Sequence, residues 1–534
     1  MAEYRLYVTD SARNRIARID DWQQLTVLSK FNDVGKWTLR LPADSEPAQL
    51  LTRLGGIAVE RNGAPFFSGA RVDRSTRSWQ AASGVHTREF SGSDDNAYLA
   101  RSLALPVPAG PPYNTAAYDE YSDVAEQVLR HYVDVNIGPG AKAERRVAGL
   151  VLGAEISRNL CLNGGFETAG SGGPDVFANW SEGATDGTVV RAITMGEYRG
   201  GAAAAKLTCG ATTGTGAPRL SQRVVGVTPG DVWAFTVWTR GDGANAGRIR
   251  VVDETHGVDI IPLISTGITG TEFARYLATI VVPAGCAQLL YYVYAPGVNG
   301  GVAYFDDTTV RRGTLVREWG RMDDLLELLQ GIALRGGGLG FRVVRTGAAL
   351  EFQVYEPSDK SDLVVFSKDN GTLDGFEVVE EAPAANYVIA GGSGSGTARA
   401  FVETSDPSSI VRWGRRIERF IDQQQTSDTG ELFKACTEEL TRNAERISIS
   451  LQPAETEGLK PFTHYNLGDR VRVDLPDQTI VDVVRGFEIT VTPDGEAIKP
   501  VIGTSESLAA ASPLAGMFAR MRELESRLSA LERR

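Results

Sequence analysis

The chain has 534 residues, which is enough for three or four domains of roughly 150 residues each. Its 55 Lys and Arg residues are outnumbered by 67 Asp and Glu residues, and the net charge of −12 argues against a protein whose main task is to bind nucleic acid. Hydrophobic residues at 42% and charged residues at 23% are typical of globular protein, and the 59 glycines favour many turns and therefore many strands.

No stretch of about 18 apolar residues occurs, and the first residues, MAEYRLYVTD, lack the apolar core of a signal peptide. We therefore expect a protein that is made in a cytoplasm, without a membrane anchor or the usual export signal. Four cysteines are too few for a disulfide scaffold, and the sequence leaves the pairing of Cys161, Cys209 and Cys286 open.

Residues 1–105 are predicted to form strands separated by turns. Tyr4, Leu6 and Val8 alternate along YRLYVTD and share one strand face. The segments IAVER and APFF flank Asn62-Gly63, a dipeptide that accepts the positive φ angles of a type I′ turn, so a hairpin is predicted here. A Pro-rich connector at residues 106–112 ends this region.

Three helices are predicted from apolar residues at helical spacing. The first starts at Tyr121 and ends within residues 136–140, the second is stopped by the glycines at 336–338, and the third begins near Asp428, with Glu431 as its capping partner. Their apolar faces are formed by Tyr121, Val124, Ala125, Val128, Leu129 and Tyr132, by Met322, Leu325, Leu326, Leu329 and Ile332, and by Leu432, Phe433, Cys436 and Leu440.

Short strands are predicted between and after these helices. The loop GGSGSG at residues 391–396 lacks the Lys-Ser/Thr of a phosphate-binding loop, so no nucleotide site is predicted there. A compact β unit follows the third helix, with the strand segments RISISL, RVRVDL, TIVDVV, GFEITV and AIKPVIG and a turn at residues 493–495.

The last segment carries a heptad seam with apolar residues at its a and d positions. The seam consists of Leu514, Met517, Met521, Leu524, Leu528 and Leu531. We predict a short coiled coil between copies of the chain, because no large apolar residues remain on the other faces of this helix. Packing of the helix on its own domain is the alternative, and the seam does not fix the number of strands in a coiled coil.

Catalytic signatures are missing from the sequence. The four histidines, 86, 131, 256 and 464, show no metal-ligand spacing, and no GxSxG segment or Cys–His signature occurs. Acid pairs at residues 94–95, 306–307 and 323–324 are compatible with glycoside hydrolysis, which needs two carboxylates about 5–10 Å apart, but acidic turns or a cation site explain them as well. We therefore predict that the protein is not an enzyme and has no catalytic residues.

Residues 158–312 are rich in Gly, Thr, Val and Ala and carry motifs at both ends. The segment opens with NLCLNGGFE, continues with FANW and closes with VAYFDDTTV. These motifs resemble jelly-roll carbohydrate-binding modules. The resemblance implies an inserted β-sandwich with Trp180 in its core and with first and last strands that lie together. It also implies a structural Ca²⁺ bound by Glu167 with Asp306 or Asp307; turn capping by these acids is the alternative.

A sugar site in such modules uses aromatic rings that stack on pyranose faces. One strand face of DVWAFTVW is predicted to be core and is formed by Trp233, Phe235 and Val237. The opposite face leaves Trp238 as a ligand candidate, and Tyr292 and Tyr294, which share a face of QLLYYVYAP, are further candidates. Core or rim packing is the alternative for each ring, and a jelly roll that has lost sugar binding would serve as a protein-contact domain.

The chain outside this insert carries a second set of motifs. These are GGIAVERNGAPFFSGARV and REFSGSDDNAYLARS near the N-terminus, and ISISL and YNLGDRVRV followed by VVRGFEITVTPDGEAIKPVIG near the C-terminus. In their order they resemble the hub proteins at the tail tip of long-tailed, siphovirus-type phages, including the minor tail proteins of phages that infect actinobacteria. The resemblance implies a homotrimer in which two barrel-like domains of each chain form a pseudo-sixfold ring. Many tail-tip proteins continue into a cell-wall hydrolase domain, and this chain ends instead at a short helix.

The predicted fold class is mainly β with a few helices (α+β): two barrel-like hub domains, an inserted β-sandwich jelly roll and a short C-terminal coiled-coil helix. The predicted domains are a first hub part at 1–157, the insert at 158–312, a second hub part at 313–400, a second barrel-like domain at 401–505 and the helix at 506–534.

We expect a structural virion protein of the phage tail tip, assembled in the host cytoplasm. As a baseplate hub it would join the tail tube to the tip, bind distal tail, tube and tip or fibre proteins, and line a channel that DNA crosses transiently, which its acidic charge suits. The insert would contact host cell-wall carbohydrate. A peripheral receptor-binding or adaptor tail protein is the first alternative, and a carbohydrate-active enzyme with a binding module is the second.

Overall fold

The fold is mainly β with a few helices, which confirms the predicted fold class. The computed structural model describes residues 2–51, 55–79, 84–171, 177–424, 426–454, 459–476 and 479–503. The chain up to residue 95 and the chain from residue 357 form a first unit, and residues 96–356 form a second. Among the described residues, no helix is long and apolar enough to cross a membrane.

The helices and strands fall into three groups along the chain. The N-terminal part of the first unit contains β1 (Tyr4–Thr9), β2 (Arg15–Ile19), β3 (Gln24–Lys30), β4 (Lys36–Pro42), α1 (Glu46–Leu50), β5 (Gly56–Arg61), β6 (Ala64–Trp79) and β7 (His86–Asp94). The second unit contains α2 (Ala97–Ala100), β8 (Leu103–Ala104), β9 (Asp119–Val124), α3 (Ala125–Ile137), β10 (Leu150–Leu152), β11 (Ser181–Gly183), β12 (Gly187–Ala192), β13 (Ala204–Cys209), β14 (Arg219–Val225), β15 (Val232–Arg240), β16 (Arg248–Asp253), β17 (Val258–Ser265), β18 (Ala274–Val281), β19 (Gln288–Tyr294), β20 (Val302–Arg312), β21 (Leu315–Gly320), β22 (Asp323–Asp324), α4 (Leu325–Arg335), β23 (Gly340–Thr346) and β24 (Ala349–Tyr355). The C-terminal part of the first unit contains β25 (Val365–Ser367), β26 (Leu373–Glu381), β27 (Tyr387–Gly391), a 3₁₀ turn (Gly396–Ala398), β28 (Phe401–Ser405), α5 (Pro407–Trp413), β29 (Glu418–Asp422), α6 (Thr429–Arg442), β30 (Arg446–Pro453), β31 (Arg470–Asp474), β32 (Thr479–Thr492) and β33 (Gly495–Gly503).

One sheet of thirteen strands dominates the first unit and draws on both ends of the chain. Its order is β2-β1-β5-β6-β7-β4-β3-β32-β33-β30-β26, and β31 pairs with both β25 and β32. The antiparallel pairing of β3 with β32 places Leu25 opposite Val491 and joins the two chain ends. Trp37, Phe90 and Phe487 share one core, so strands from both predicted barrel-like regions form a single hydrogen-bonded sheet.

The hairpin predicted at Asn62-Gly63 is confirmed. β5 and β6 pair in antiparallel fashion on either side of this dipeptide, and the φ angles of Asn62 and Gly63 are 54° and 79°. Both angles lie in the left-handed region, which Asn and Gly adopt at low cost, so two residues are enough to reverse the chain.

A separate three-stranded sheet of the first unit, β28-β27-β29, packs against α6. Leu432 and Cys436, predicted on the apolar face of this helix, are fully buried. Phe433, predicted on the same face, is 53% exposed. Successive helix residues lie about 100° apart, so the helix that packs Leu432 on the sheet turns Phe433 away from it.

Helix α3 of the second unit begins later than predicted. Its first residue is Ala125, and Tyr121 and Val124 belong to β9 instead. β9 pairs with β21, which places Tyr121 opposite Glu318. Strand pairing with a segment far along the chain therefore takes precedence over the helical spacing of these residues.

Helix α4 also begins later than predicted. Asp324 caps it, because its carboxylate accepts hydrogen bonds from two backbone N–H groups of the first turn. Met322, predicted on the apolar face of this helix, precedes it with a φ angle of 60° and lies outside the helix. The helix ends before Gly336, at the predicted run of glycines.

Two five-stranded sheets of the second unit face each other as a β-sandwich. Their orders are β11-β14-β19-β16-β17 and β12-β13-β20-β15-β18. The buried residues between them include Trp180, Phe235 and Tyr291. The three cysteines of the sandwich are buried free thiols, so none of them forms a disulfide.

The chain that leads into the sandwich pairs with the chain that leaves it. β9 lies antiparallel to β21, and β10 lies parallel to β24. Within the sandwich, the N–H of Thr308 in β20 donates a hydrogen bond to the carbonyl of Gly164 at 2.9 Å, so its first and last segments are neighbours. The predicted sandwich limits at 157/158 and 312/313 lie inside the second unit, whereas the two units divide at 95/96 and 356/357. The predicted coiled coil lies outside the described residues.

Candidate functional site

The sheet β11-β14-β19-β16-β17 turns one side to the core and one side away from it. Strand alternation directs Leu220, Tyr291 and Ile249 inward, and their sequence neighbours outward. We call the outward side of the three central strands the open face; it consists of Arg219, Ser221, Arg223, Leu290, Tyr292, Tyr294, Arg248 and Arg250.

Tyr292 is the aromatic ring that the open face offers to a ligand. It is partly exposed, and its ring centroid lies 5.5 Å from that of Tyr294 and 5.6 Å from the guanidinium carbon of Arg250. Tyr294 is only 1% exposed, with Tyr292 and Arg248 against its ring. The structure is therefore compatible with Tyr292 as a sugar contact but excludes Tyr294, which supports the ring of Tyr292 instead.

Two arginines of the open face form ion pairs with acids at its border. Arg223 pairs with Glu254, and Nη2 of Arg250 lies 2.6 Å from Oδ1 of Asp259. The hydrogen bond from Arg223 lowers the pKa of Glu254. Glu254 therefore stays ionised near neutral pH, and its charge cancels that of Arg223.

The arginines of the open face are site residues that the sequence analysis misses. The segments RLSQR and RIRVV alternate arginine with apolar or polar residues, which is a signal for one strand face. Only the strand order β14-β19-β16 places these two segments on either side of Tyr292.

Trp238 lies on the opposite sheet of the sandwich, and Arg199 lies over one face of its ring. The guanidinium carbon of Arg199 lies 3.8 Å from the ring centroid of Trp238. Thr236, the preceding outward position of β15, is 4% exposed and accepts a hydrogen bond from Arg275, which also binds Asp123 of β9. We call the outward side of the sheet β12-β13-β20-β15-β18, which carries Thr236 and Trp238, the covered face. The structure therefore argues against the prediction that Trp238 stacks on a sugar, because Arg199 occupies one face of its ring.

The predicted calcium ligands Glu167, Asp306 and Asp307 lie close together. A Cβ atom placed on Gly165 would lie 3.7 Å from Oδ1 of Asp307, 3.8 Å from Oδ1 of Asp306 and 3.7 Å from Cγ of Glu167. Three carboxylates around one loop match the hard oxygen ligands that Ca²⁺ prefers.

The oxygens of these acids also have protein partners. Oδ2 of Asp306 accepts hydrogen bonds from the N–H groups of Arg199 and Gly200 at 2.8 and 3.1 Å, and Glu167 accepts from a neighbouring backbone N–H. The Arg199 guanidinium lies 2.5 Å from Oδ2 of Asp307. Across the described ranges, no three Asp, Glu, His or Cys side chains converge on one metal position. The donor chemistry fits Ca²⁺ but the arrangement does not, so calcium binding stays a prediction.

The closely packed acids and the burial of Asp306 affect its pKa. Burial is the main cause that raises the pKa of Asp306 to about 6, and the negative charge of Asp307 acts in the same direction. The N–H groups of Arg199 and Gly200 oppose both effects. A proton or a cation next to Asp306 would therefore relieve an unfavourable buried charge.

The other acid pairs have structural partners rather than the arrangement of a catalytic dyad. Asp95 accepts a hydrogen bond from Ser68, Asp323 accepts one from the N–H of Arg321, and Asp324 caps α4. These contacts hold turns and helix ends in place, as acids in turns commonly do.

A cavity of about 650 Å³ lies in the second unit beside α3 and β15. Glu126 in its wall accepts hydrogen bonds from the N–H groups of Ile156 and Ser157, and Asp231 pairs with Arg312 at 3.3 Å. Both carboxylates therefore stabilise the protein around the cavity, and neither is positioned as a free general acid or base.

A protein-family model matches most of the chain. The model of the family described as Siphovirus ReqiPepy6 Gp37-like protein matches residues 5–162 and 302–504. The segment between these ranges holds most of the sandwich. No curated protein matches this chain.

Solved structures resemble the chain in two groups. The 43 kDa tail protein of prophage MuSo2 from Shewanella oneidensis is 8% identical, with a TM-score of 0.41 over 94% of this chain and 98% of that chain. The tail protein from Neisseria meningitidis MC58 is 10% identical, with a TM-score of 0.40 over 94% and 97%. TmCBM61, solved with beta-1,4-galactotriose, is 22% identical, with a TM-score of 0.23 over 30% of this chain and 100% of that chain.

Proposed function

Because the chain belongs to the Siphovirus ReqiPepy6 Gp37-like protein family, we propose that it forms the trimeric hub of a phage tail tip and displays its sandwich toward host glycan. It is a phage tail protein of the siphovirus type, and as such it interacts with other tail proteins. The hub position, the trimer, the DNA channel and the glycan contact are the parts that we propose.

The organisation of the second unit is the observation that carries this proposal. The family match lies on both sides of the sandwich, and β9 and β21, which flank the sandwich in the chain, pair with each other. A module inserted in this way adds a binding surface without interrupting the host fold. The sheet of the first unit, built from both chain ends, supports a mechanical role for the remainder, and nothing in the candidate site supports an enzyme.

The glycan contact is proposed for the open face. Tyr292 offers a partly exposed ring beside that of Tyr294, and arginines on the neighbouring strands carry hydrogen-bond donors around it. An aromatic platform surrounded by polar groups is the arrangement that ligand sites of proteins commonly use.

Images of the purified chain test the hub position. We expect mass photometry to give a trimer and negative-stain micrographs to show a ring with a central hole, through which DNA could pass in the assembled tail. A solid knob would favour the peripheral receptor-binding or adaptor protein, and a strict monomer, alone and after addition of tail tube, would contradict the hub.

A binding assay tests the glycan contact separately. We expect the full chain to sediment with host cell-wall polysaccharide and to be displaced by soluble fragments of it. Release of reducing sugar from the same polysaccharide would instead favour the carbohydrate-active enzyme.

A further inference from the structure

Two cations of the open face, Arg219 and Arg248, have no carboxylate partner among the described residues. Arg248 donates hydrogen bonds to the carbonyls of Ala295, Thr213 and Pro296 at 2.9, 2.7 and 3.3 Å, which leaves part of its five N–H donors for a ligand. Arg219 donates one to the carbonyl of Thr215 at 3.0 Å. A carbonyl orients a guanidinium without neutralising it, and arginine stays protonated in proteins, so both side chains keep a full positive charge.

The strand register places these two charges around one point of the open face. Arg219 and Arg248 pair from opposite sides with Tyr294, and Tyr292 is the next outward residue along the same strand. Because neighbouring strands lie about 4.8 Å apart, the two arginine backbones are separated by about 10 Å, a gap that their long side chains can close on one small anion.

The surrounding charges leave this positive excess uncompensated. Glu254 and Asp259 are already paired with Arg223 and Arg250, in a chain whose net charge is −12. Burial lowers the pKa of Arg248, because the desolvated cation lacks a counter-ion nearby. An anion held by Arg248 would supply that counter-ion.

We propose that the open face binds a glycan that carries carboxylates, that is, a uronate-containing polysaccharide. One sugar ring lies on Tyr292, and its carboxylate accepts hydrogen bonds from Arg219 and Arg248. The planar guanidinium fork matches the two oxygens of a carboxylate, and such charge-assisted hydrogen bonds are stronger than those to a neutral hydroxyl. This inference rests on the proposed glycan contact and names the class of glycan.

Matched saccharides test the charge directly. The full chain is titrated in a calorimeter with tetrasaccharides of galacturonate, glucuronate and mannuronate, and with the same tetrasaccharides after reduction of their carboxyls to neutral alcohols. We expect one acidic tetrasaccharide to bind roughly tenfold or more tightly than its reduced form, with the difference shrinking at about 0.5 M salt.

Arginine variants localise the effect. Arg219→Gln removes one unpaired charge and only one backbone hydrogen bond, so we expect a stable protein that loses most of the preference for the acidic form. Arg312→Gln, at the end of β20 in the opposite sheet, is the control outside the open face; it also removes an exposed arginine, one that pairs with Asp231, and leaves the preference unchanged. Melting temperatures of both variants verify that they fold.

The outcomes separate this inference from the proposed function. If the reduced saccharides bind as tightly as the acidic ones and Arg219→Gln changes nothing, the inference fails while glycan binding stands. The same holds if cell-wall polysaccharide binds but no uronate does, or if a phosphate-bearing saccharide binds in preference to every uronate. If neither saccharides nor cell-wall polysaccharide bind, the glycan contact itself fails.

Discussion

The two outward sides of the sandwich carry similar sequence patterns and have different surroundings. Trp238 and Tyr292 both stand at outward positions of a central strand, with core residues on either side in the sequence. On the covered face, Arg199 lies on the ring of Trp238 and Arg275 reaches Asp123 outside the sandwich. On the open face, the ring of Tyr292 is partly exposed, as that of Trp238 is, but the guanidinium carbon of Arg250 lies 5.6 Å from its centroid, against 3.8 Å for Arg199 and Trp238.

The difference teaches that strand alternation assigns a side chain to one side of a sheet but not to solvent. Whether an outward side chain reaches solvent depends on what packs on that side of the sheet. The covered face is joined to the neighbouring β9 by the nearly buried pair of Arg275 with Asp123. The arginines of the open face pair with more exposed acids, or they donate to carbonyls. The covered face therefore serves stability, and the open face is the side for which we propose binding.

The largest expected effect comes from breaking the ion pair between Arg275 of the covered face and Asp123 of β9. Arg275→Ala leaves Asp123 buried without its cation, and burial already raises the pKa of this acid. Removing one partner of a buried pair costs about 3–5 kcal/mol, and we expect a loss of this size in the free energy of unfolding, measured by urea with tryptophan fluorescence.

The matched control for this change is Arg223→Ala on the open face. Arg223 is exposed and its partner Glu254 is partly exposed, so we expect a loss of less than about 1 kcal/mol in the free energy of unfolding. Equal effects of the two variants would contradict the distinction between a covered and an open face.

The next effect concerns binding. We expect Tyr292→Ala to weaken binding to cell-wall polysaccharide by roughly tenfold or more, because the exposed ring is the platform, whereas Trp238→Ala leaves the affinity unchanged. Tyr292→Phe keeps the ring and is expected to stay within about threefold of the wild type. A larger loss with Trp238→Ala than with Tyr292→Ala would reverse the assignment of the two faces.

Local chemistry explains which features could be predicted from the sequence. The Asn62-Gly63 hairpin depends only on the φ angles of two residues, and the end of α4 depends on a run of glycines. The strand that contains Tyr121 depends instead on pairing with β21, on the far side of the sandwich in the chain. No periodicity within residues 119–124 encodes that partner.

The candidate site shows the same limit. The pattern of QLLYYVYAP places Tyr292 and Tyr294 outward, but Tyr294 is buried, with Tyr292 and Arg248 of a neighbouring strand against its ring. The cover on Trp238 comes from Arg199, in a loop between β12 and β13. Contacts between segments distant in the chain decide both outcomes, and only the strand order reveals them.

A smaller effect is expected from the acids next to the covered face. The folded-state pKa of Asp306, about 6, lies above its ordinary value of 3.8, so the stability that this group contributes is present at low pH and is lost as pH rises through 6. With a chelator present, the free energy of unfolding is measured with urea at about pH 7 and about pH 5. As the pH is lowered over this range, we expect that of the wild type to rise by about 1 kcal/mol relative to that of Asp306→Asn.

Added Ca²⁺ tests the predicted calcium site with the same two proteins. If a cation binds beside Asp306 at neutral pH, added Ca²⁺ raises the melting temperature of the wild type and not that of Asp306→Asn. Added Mg²⁺ is the control, because it tolerates such irregular oxygen ligands poorly. If Ca²⁺ does not change the melting temperature of the wild type, the predicted calcium site is wrong. The three acids would then only accept hydrogen bonds from the surrounding loop.

The smallest expected effect on binding comes from replacing Arg199, which tests whether this side chain alone keeps a sugar from the ring of Trp238. Arg199→Ala removes a cation–π contact, which contributes about 0.5–1 kcal/mol at exposed sites, and an exposed ion pair with Asp307, which contributes up to about 1 kcal/mol. We therefore expect the free energy of unfolding to fall by about 1–2 kcal/mol at most. The same variant bares the ring of Trp238, and acrylamide should then quench its fluorescence more strongly, with Trp238→Phe as the reference for the other seven tryptophans. Polysaccharide affinity should not rise, because Thr236, the outward position before Trp238, stays buried and bound to Arg275. A gain in affinity that Trp238→Phe abolishes would mean that Arg199 blocks a second sugar site, and the two faces would then differ by one side chain and not by what packs on them.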